Sequence, residues 1–419
     1  MKIIAIETSC DETAISIIDT KEKTKNPSFS VLSNIVLSQA KLHARYGGVF
    51  PSLAKREHAK NLIPVLKQAL QESGFLNVKI KSQKSKLQSK TQNEIDLILE
   101  REPELLEQFK KFIPTLKKPP IDAVAVTYGP GLEPALWVGI NFAKALSLAW
   151  DIPVISINHM EGHLFSALLK TEKRNSKSQI PSSKQIQNAK HKIQDVEFPV
   201  LALLISGGHT ELVLSKNWFE YKIVGQTRDD AVGETFDKAA RMLGLPYPGG
   251  PAISDLARKW KTQISNFKSQ KNSNFKFPRP MINSGNLDFS FSGLKTSVLY
   301  TVKKISKLTE NIKKEIAYEL EEAIADVLVK KTIVAAEKFN VKTILVGGGV
   351  SANTRIKESL AEETKKILSD TEFLVARTDL TGDNALMIAA VAYTRMLHGV
   401  SKKKENIAAD GNVRLGSES

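Results

Sequence analysis

Two stretches of this 419-residue chain share a pattern that leaves few folds open. Ile3 to Ile18 reads IIAIETSCDETAISII, and Leu201 to Leu214 reads LALLISGGHTELVL. Each is an apolar strand, a small or polar turn, and a second apolar strand. Short apolar runs bounded by turn residues predict buried strands. Outside a few polar inserts the whole chain alternates strand-like and helix-like segments, as an α/β protein does. Both hairpin tips carry Ser, Thr and charged groups. Hairpins are common in long α/β chains, so the echo alone leaves an internal duplication open.

A third element, TILVGGGVSAN from Thr343 to Asn353, runs a buried-type strand into three glycines and then a helix starting near Ser351 or Asn353. Unpaired N–H groups at such a turn, together with the helix dipole, suit an anion or a nucleotide. Glycine turns at strand ends also serve as plain punctuation, and this one is not the G-x-G-x-x-G dinucleotide pattern.

Apolar residues make up 42% of the chain, enough for a large core and two domains. No apolar stretch reaches the roughly 20 residues of a membrane span, so no membrane association and a cytoplasmic location are expected. Cys10 is the only cysteine, which excludes an intrachain disulfide and a cysteine-built zinc knuckle. The formal charge of +15 suits an anionic partner such as a phosphate backbone. Much of that excess lies in Lys-, Ser-, Gln- and Asn-rich segments after Lys79, from Lys170 to Asp195, and from Lys261 to Phe277, whose composition reads as loop. Between Asn93 and Ile113, however, Ile95, Ile98, Leu99, Leu105, Leu106, Phe109 and Phe112 follow helical spacing, with Pro103 as a break or a second start.

The sharpest local signal is Asn158-His159-Met160-Glu161-Gly162-His163. On a helix, His159 and His163 share a face and can ligate one cation. Glu161 lies roughly 200° round the helix from His159, so the arrangement is not that of an H-E-x-x-H metalloprotease. A histidine pair at this spacing is often coincidence, and a third ligand would make it a site. Asp383, in LTGDNALMIAA, is the candidate, although that position equally suits a helix N-cap.

Taken together and in order, ETSCDETA (7–14), YGGVFPSLAKREH (46–58), GPGLEPALWVG (129–139), NHMEGH (158–163), LLISGGHT (203–210), DDAVGETFDKAARMLGLPYPGGP (229–251), FKFPRP (275–280), LDFSFSGLKT (287–296), VGGGVSAN (346–353) and GDNALMIA (382–389) resemble the TsaD family. The resemblance spans nearly the whole chain apart from the basic inserts. It implies an α/β fold of two tandem actin-like (RNase H-like) domains with an interdomain cleft. The expected first lobe is 1–157 plus 386–419, with a basic and helical insert at about 78–119; the second is 158–385, with a basic insert at about 170–195. The implied activity is transfer of a threonylcarbamoyl group from threonylcarbamoyl-AMP to N6 of adenosine 37 in tRNAs that read codons beginning with A.

Carried over residue by residue, the resemblance makes His159, His163 and Asp383 ligands of one divalent metal, Fe2+ or Zn2+. Leu204, Ile205, Ser206, Gly207 and Gly208 would hold the phosphate end of the substrate, and Asp237, Gly250 and Asn353 the nucleoside. Asp11 and Glu12, at the first hairpin tip, would take part in catalysis. Gly382 stands where many members have Thr, and Ser254 where many have an acidic residue after PGGP. Implied partners are tRNA, a paralogous actin-like subunit (TsaB-like) and a small ATPase (TsaE-like).

The chemistry fits these residue types. An adenine N6 amine is a poor nucleophile, so the carbamoyl group must arrive activated as a mixed anhydride with AMP. Two neutral imidazoles and a carboxylate hold a cation with open positions. Glycine-turn N–H groups can stabilise negative charge without a side chain, and a tip carboxylate can accept the amine proton. An actin-like kinase or ATPase is the nearest alternative, disfavoured because Mg2+ prefers oxygen ligands. A related carbamoyltransferase with zinc-finger modules is excluded by the single cysteine. The position of Glu161 argues against an endopeptidase, and the intact ligand set against a non-catalytic scaffold.

Overall fold

The computed structural model describes residues 1–20, 28–76, 89–171, 190–265, 273–400 and 406–417. They form two compact units, one of Met1–Ala40, Val49–Gln194 and Asp383–Ser417, the other of Lys41–Gly48 and Asp195–Gly382.

The first unit is built on a seven-stranded sheet of β1 (Lys2–Glu7), β2 (Glu12–Thr20), β3 (Ser28–Ser38), β4 (Ala123–Gly129), β5 (Val154–Asn158), β6 (Leu169–Thr171) and β7 (Lys190–Ile193). Its order is β5-β4-β1-β2-β3-β7-β6. β1, β2 and β3 form an antiparallel meander, while β4 and β5 add on in parallel. β1 and β4 are buried on both faces, which is why they read as unbroken apolar runs. On one face Ile4, Ile6, Ile15 and Ile17 pack with Leu62 and Leu66 of helix Pro51–Glu72 and with Val138 and Phe142 of helix Glu133–Trp150. Helix Ala385–Leu397 packs on the same central strands.

The second unit repeats this plan. β8 (Val200–Ile205), β9 (Thr210–Asn217), β10 (Glu220–Gln226), β11 (Thr343–Gly347) and β12 (Glu372–Val375) lie in the order β10-β9-β8-β11-β12. Again three antiparallel strands are followed by two parallel ones. Strand for strand this matches β3-β2-β1-β4-β5, so the hairpin echo in the sequence reflects a repeated topology. The core of this unit gathers around helix Glu310–Lys338, whose Ile316, Leu320, Ile324 and Leu328 are fully buried.

The helical spacing after Asn93 resolves into helices Ser89–Ile98 and Pro103–Phe112, with Pro103 in the first turn of the second, where its missing N–H costs nothing. The segment from Lys170 to Asp195, read as loop, is paired at both ends: β6 and β7 run antiparallel, and β7 continues the sheet from β3. Residues 172–189 between them lie outside the described residues, as do 77–88 and 266–272 of the other inserts.

Candidate active site

In the first unit, helix His159–Leu168 begins directly after β5. Asn158 caps it, its side chain accepting from the N–H groups of Met160 and Glu161 at 2.9 and 3.4 Å. That start places His159 and His163 one turn apart on a common face, with ring centroids 4.6 Å apart. Helix Ala385–Leu397 packs alongside, and Gly162 makes the approach close. A Cβ at residue 162 would lie 2.9 Å from Met387 Cγ.

Asp383 precedes that second helix, but it is not the cap. Asn384 fills the cap position, accepting from Met387 N–H at 3.0 Å, which leaves the Asp383 carboxylate for the histidines. Asp383 Oδ1 lies 3.1 Å from His163 Nε2 and 3.4 Å from His159 Nε2. One ligand atom from each of the three residues falls within 4.8 Å of the others, so the group can hold a metal ion. The fit is supported by His163: it is fully buried, and neither ring nitrogen has a hydrogen-bond partner among the described residues despite the short Nε2 contact. A buried imidazole in that condition is costly unless its lone pair meets a cation.

Glu7, at the end of β1, completes the arrangement. Its fully buried carboxylate accepts from Ser9 N–H at 2.6 Å and from Thr127 Oγ1 at 2.5 Å, and its Oε2 lies 3.1 Å from His159 Nδ1. A carboxylate on Nδ1 fixes the tautomer and aims the Nε2 lone pair at the ligand position. Burial disfavours charge on His159, but the Asp383 and Glu7 carboxylates outweigh it and hold the imidazole well above its usual pKa. Burial likewise raises Asp383, and the His159 charge overrides it, leaving the carboxyl well below its usual range.

The β1–β2 tip carries Asp11 and Glu12. It is braced by the buried His58, which touches Thr13 Oγ1 at 2.8 Å through Nδ1 and the Cys10 carbonyl at 3.0 Å through Nε2. Glu12 accepts from Ser38 Oγ at 2.9 Å. Burial first, then the charges of Asp383 and Asp11, push its carboxyl up to about 9. Glu161 is fully buried and turned to Arg395, whose Nη2 lies 2.8 Å from Oε2. Glu161 is therefore an ion-pair partner of the neighbouring helix, in keeping with its angular position in the sequence.

The remaining candidates lie in the second unit. Leu204 and Ile205 are fully buried in β8 and offer only backbone groups, whereas Gly207 and Gly208 at the tip are exposed with open space where a Cβ would stand. Ser206 Oγ accepts from His209 N–H at 3.1 Å and squares the turn. Helix Val232–Met242 begins against this tip, with Gly233 N–H donating to the Ser206 carbonyl at 3.2 Å. Gly348, after β11, has φ 89°, and a Cβ there would collide with the Ile205 carbonyl oxygen. Asp237 Oδ1 accepts from Gly249 N–H at 2.6 Å, which ties the PYPGG turn to its helix. Gly250 borders open space. Asn353 caps helix Thr354–Ile367 through Ile356 N–H, in keeping with a helix start near Asn353.

Sequence reasoning named the histidines, Asp383 and the tip acids but gave no role to Glu7 or His58. Glu7 could have been found as a carboxylate closing an otherwise apolar strand, since such a group is buried only with partners.

The family model described as tRNA N6-adenosine threonylcarbamoyltransferase, TsaD, matches residues 30–82, 103–183 and 182–390. A relative of that name from Persephonella marina is 39% identical over 420 residues, covering 99% of this chain and 95% of its own. Another from Pediococcus pentosaceus is 36% identical over 399 residues, covering 95% and 92%. Among solved structures, component A of the Acidaminococcus fermentans (R)-2-hydroxyglutaryl-CoA dehydratase shares 13% identity at a TM-score of 0.44, over 94% of this chain and 98% of that one.

Proposed function

The chain belongs to the TsaD family of tRNA N6-adenosine threonylcarbamoyltransferases, enzymes that make t6A37 in tRNA, and on that premise we propose that its catalysis uses one divalent metal held by His159, His163 and Asp383. The observation that carries this reading is the set of His159, His163 and Asp383, each with one ligand atom within 4.8 Å of the others. An imidazole and carboxylate set suits Fe2+ or Zn2+ better than Mg2+. When bound, the cation supplies Lewis acidity toward a substrate oxygen.

The protein's own groups account for the rest. In the transfer, N6 of adenosine forms a bond to the carbamoyl carbon, the bond from that carbon to the AMP phosphate oxygen breaks, and N6 gives up a proton. Glu7 keeps His159 in one tautomer and orientation. Asp11 or Glu12 is the proposed proton acceptor, and Asp11 is placed first because burial and the charges of Asp383 and Asp11 push the Glu12 carboxyl up to about 9. In the second unit the Ser206-Gly207-Gly208 turn offers backbone N–H groups to the phosphate as AMP departs, with Leu204 and Ile205 anchoring it. Asp237, Gly250 and Asn353 mark the proposed nucleoside site. The substrate pair is threonylcarbamoyl-AMP and tRNA. A TsaB-like subunit and a TsaE-like ATPase are the proposed protein partners, and the cytoplasm is the proposed compartment. No helix among the described residues is long and apolar enough to cross a membrane.

The test is to incubate the purified chain with threonylcarbamoyl-AMP and unmodified tRNA, with and without those partners, and to seek the modified nucleoside by mass spectrometry. No product in any combination would reject the reading. Asp237→Ala should keep its metal yet bind AMP more weakly, by about 1–3 kcal/mol for one lost buried hydrogen bond. Unchanged AMP affinity in calorimetry would remove the second unit from substrate binding.

A further inference from the structure

Within the second unit, Asn353, Ser254 and Glu321 form one hydrogen-bonded set. Asn353 is heavily committed. Its Oδ1 accepts from Ile356 N–H at 2.9 Å, and its Nδ2 donates to Ser254 Oγ at 2.8 Å and to Glu321 Oε1 at 2.7 Å. The Ser254 hydroxyl donates to the same Glu321 oxygen at 2.7 Å. Two neutral donors thus converge on Oε1, and among the described residues every hydrogen bond to this carboxylate ends there, leaving the lone pairs of Oε2 for a further donor.

Glu321 is only 6% exposed, and no cation among the described residues forms an ion pair with it. The nearby Arg355 is engaged with Glu322, through bonds of 2.7 Å to each carboxylate oxygen. Burial raises the Glu321 pKa against the pull of its two donors. A carboxylate held this way is expensive to the fold, and a glutamine would satisfy the same two donors less expensively. The position therefore calls for an acceptor-only group facing a ligand that brings its own donors.

Gly250 indicates where that ligand lies. It stands four residues before Ser254 on helix Gly249–Ser265, hence on the same face, and the space beside it is open. The Ser254 hydroxyl on this helix holds the Glu321 carboxylate, which comes from helix Glu310–Lys338.

We propose that Glu321 receives the ribose hydroxyls of the adenylate, and that Ser254 and Asn353 are positioning residues that aim its carboxylate. This rests on reading the second unit as the adenylate site. A vicinal diol offers two O–H donors, which a carboxylate accepts without displacing its bonds to Asn353 and Ser254.

The test compares AMP and 2′,3′-dideoxy-AMP binding to the full chain by calorimetry. Glu321→Gln should weaken AMP about tenfold and leave the already weak dideoxy compound unchanged. Adding Ser254→Asp to Glu321→Gln should restore AMP affinity, which a merely structural role would not do. AMP bound as tightly by Glu321→Gln as by the parent would overturn the proposal, as would equal losses for both nucleotides. If Asp237→Ala also leaves AMP affinity unchanged, the adenylate reading of the unit fails; if Asp237→Ala weakens AMP and Glu321→Gln does not, only the role of Glu321 fails.

Discussion

His163 and Asp383 carry the metal reading at the scale of single residues, for different reasons. His163 is buried with no hydrogen bond of acceptable geometry among the described residues, only a close approach to Asp383, and Asp383 passes over a helix cap that its neighbour fills instead. Alanine at His159, His163 or Asp383 should lower bound metal in elemental analysis and abolish transfer. Full metal content in Asp383→Ala would show that two histidines suffice. Glu7→Gln should retain the fold but weaken metal binding by about 10–100-fold, the usual cost of losing a carboxylate behind a ligating imidazole. The pKa shifts add a pH dependence with a definite sign. In metal-free protein His159 is raised, so its ion pairs stabilise the fold fully below about pH 6.5 and that contribution is lost as pH rises through the higher folded value. Metal-loaded protein requires the deprotonated ring, so protons compete with metal as pH falls. The gap in melting temperature between loaded and chelated protein should therefore widen from about pH 6 to about pH 8.5. A constant gap would mean that His159 does not exchange its proton for the metal.

Helix His159–Leu168 and helix Ala385–Leu397 form the mechanical unit of the metal site, and Gly162 sets their spacing. Gly162→Ala should press on Met387 and cost about 1–3 kcal/mol of stability, with metal affinity falling in parallel because Asp383 sits at the start of the displaced helix. Lost stability with full metal affinity would show that the carboxylate position does not depend on this packing. At this scale the sequence was most informative where chemistry and periodicity coincide. The i, i+4 histidines, the break at Pro103 and the helix start near Asn353 each follow from local rules that the structure obeys. It was least informative where a choice depends on distant contacts. Asp383 and Asn384 are both good cap residues, and only the packing of their helix decides which one caps. Glu161 could be turned away from the metal by helix geometry, but its partner Arg395, 234 positions along the chain, has no local signature. Glu319, Glu321 and Glu322 are the same residue type within four positions of one helix, yet one meets Arg279, one Asn353 and one Arg355.

Over the whole molecule the two units share a strand order and differ in what their hairpin tips carry: acids in the first, glycines in the second. The net charge of +15 is a property of neither tip. Residues 172–189 hold Lys173, Arg174, Lys177 and Lys184 against the single acid Glu172, and they lie outside the described residues. They connect β6, which follows the helix bearing His159 and His163, to β7. Each lysine or arginine that neutralises a tRNA phosphate releases condensed counterions, so log affinity should fall with log salt by a slope of about one unit per contact. Replacing residues 172–189 with a short Gly-Ser linker should then reduce the slope of tRNA binding by up to the number of phosphates this segment meets. AMP affinity should be unchanged in the same variant, which separates backbone contact from damage to the second unit. Superimposable salt curves for the two proteins would assign the electrostatic attraction to the remaining basic surface and leave this segment without a part in tRNA binding.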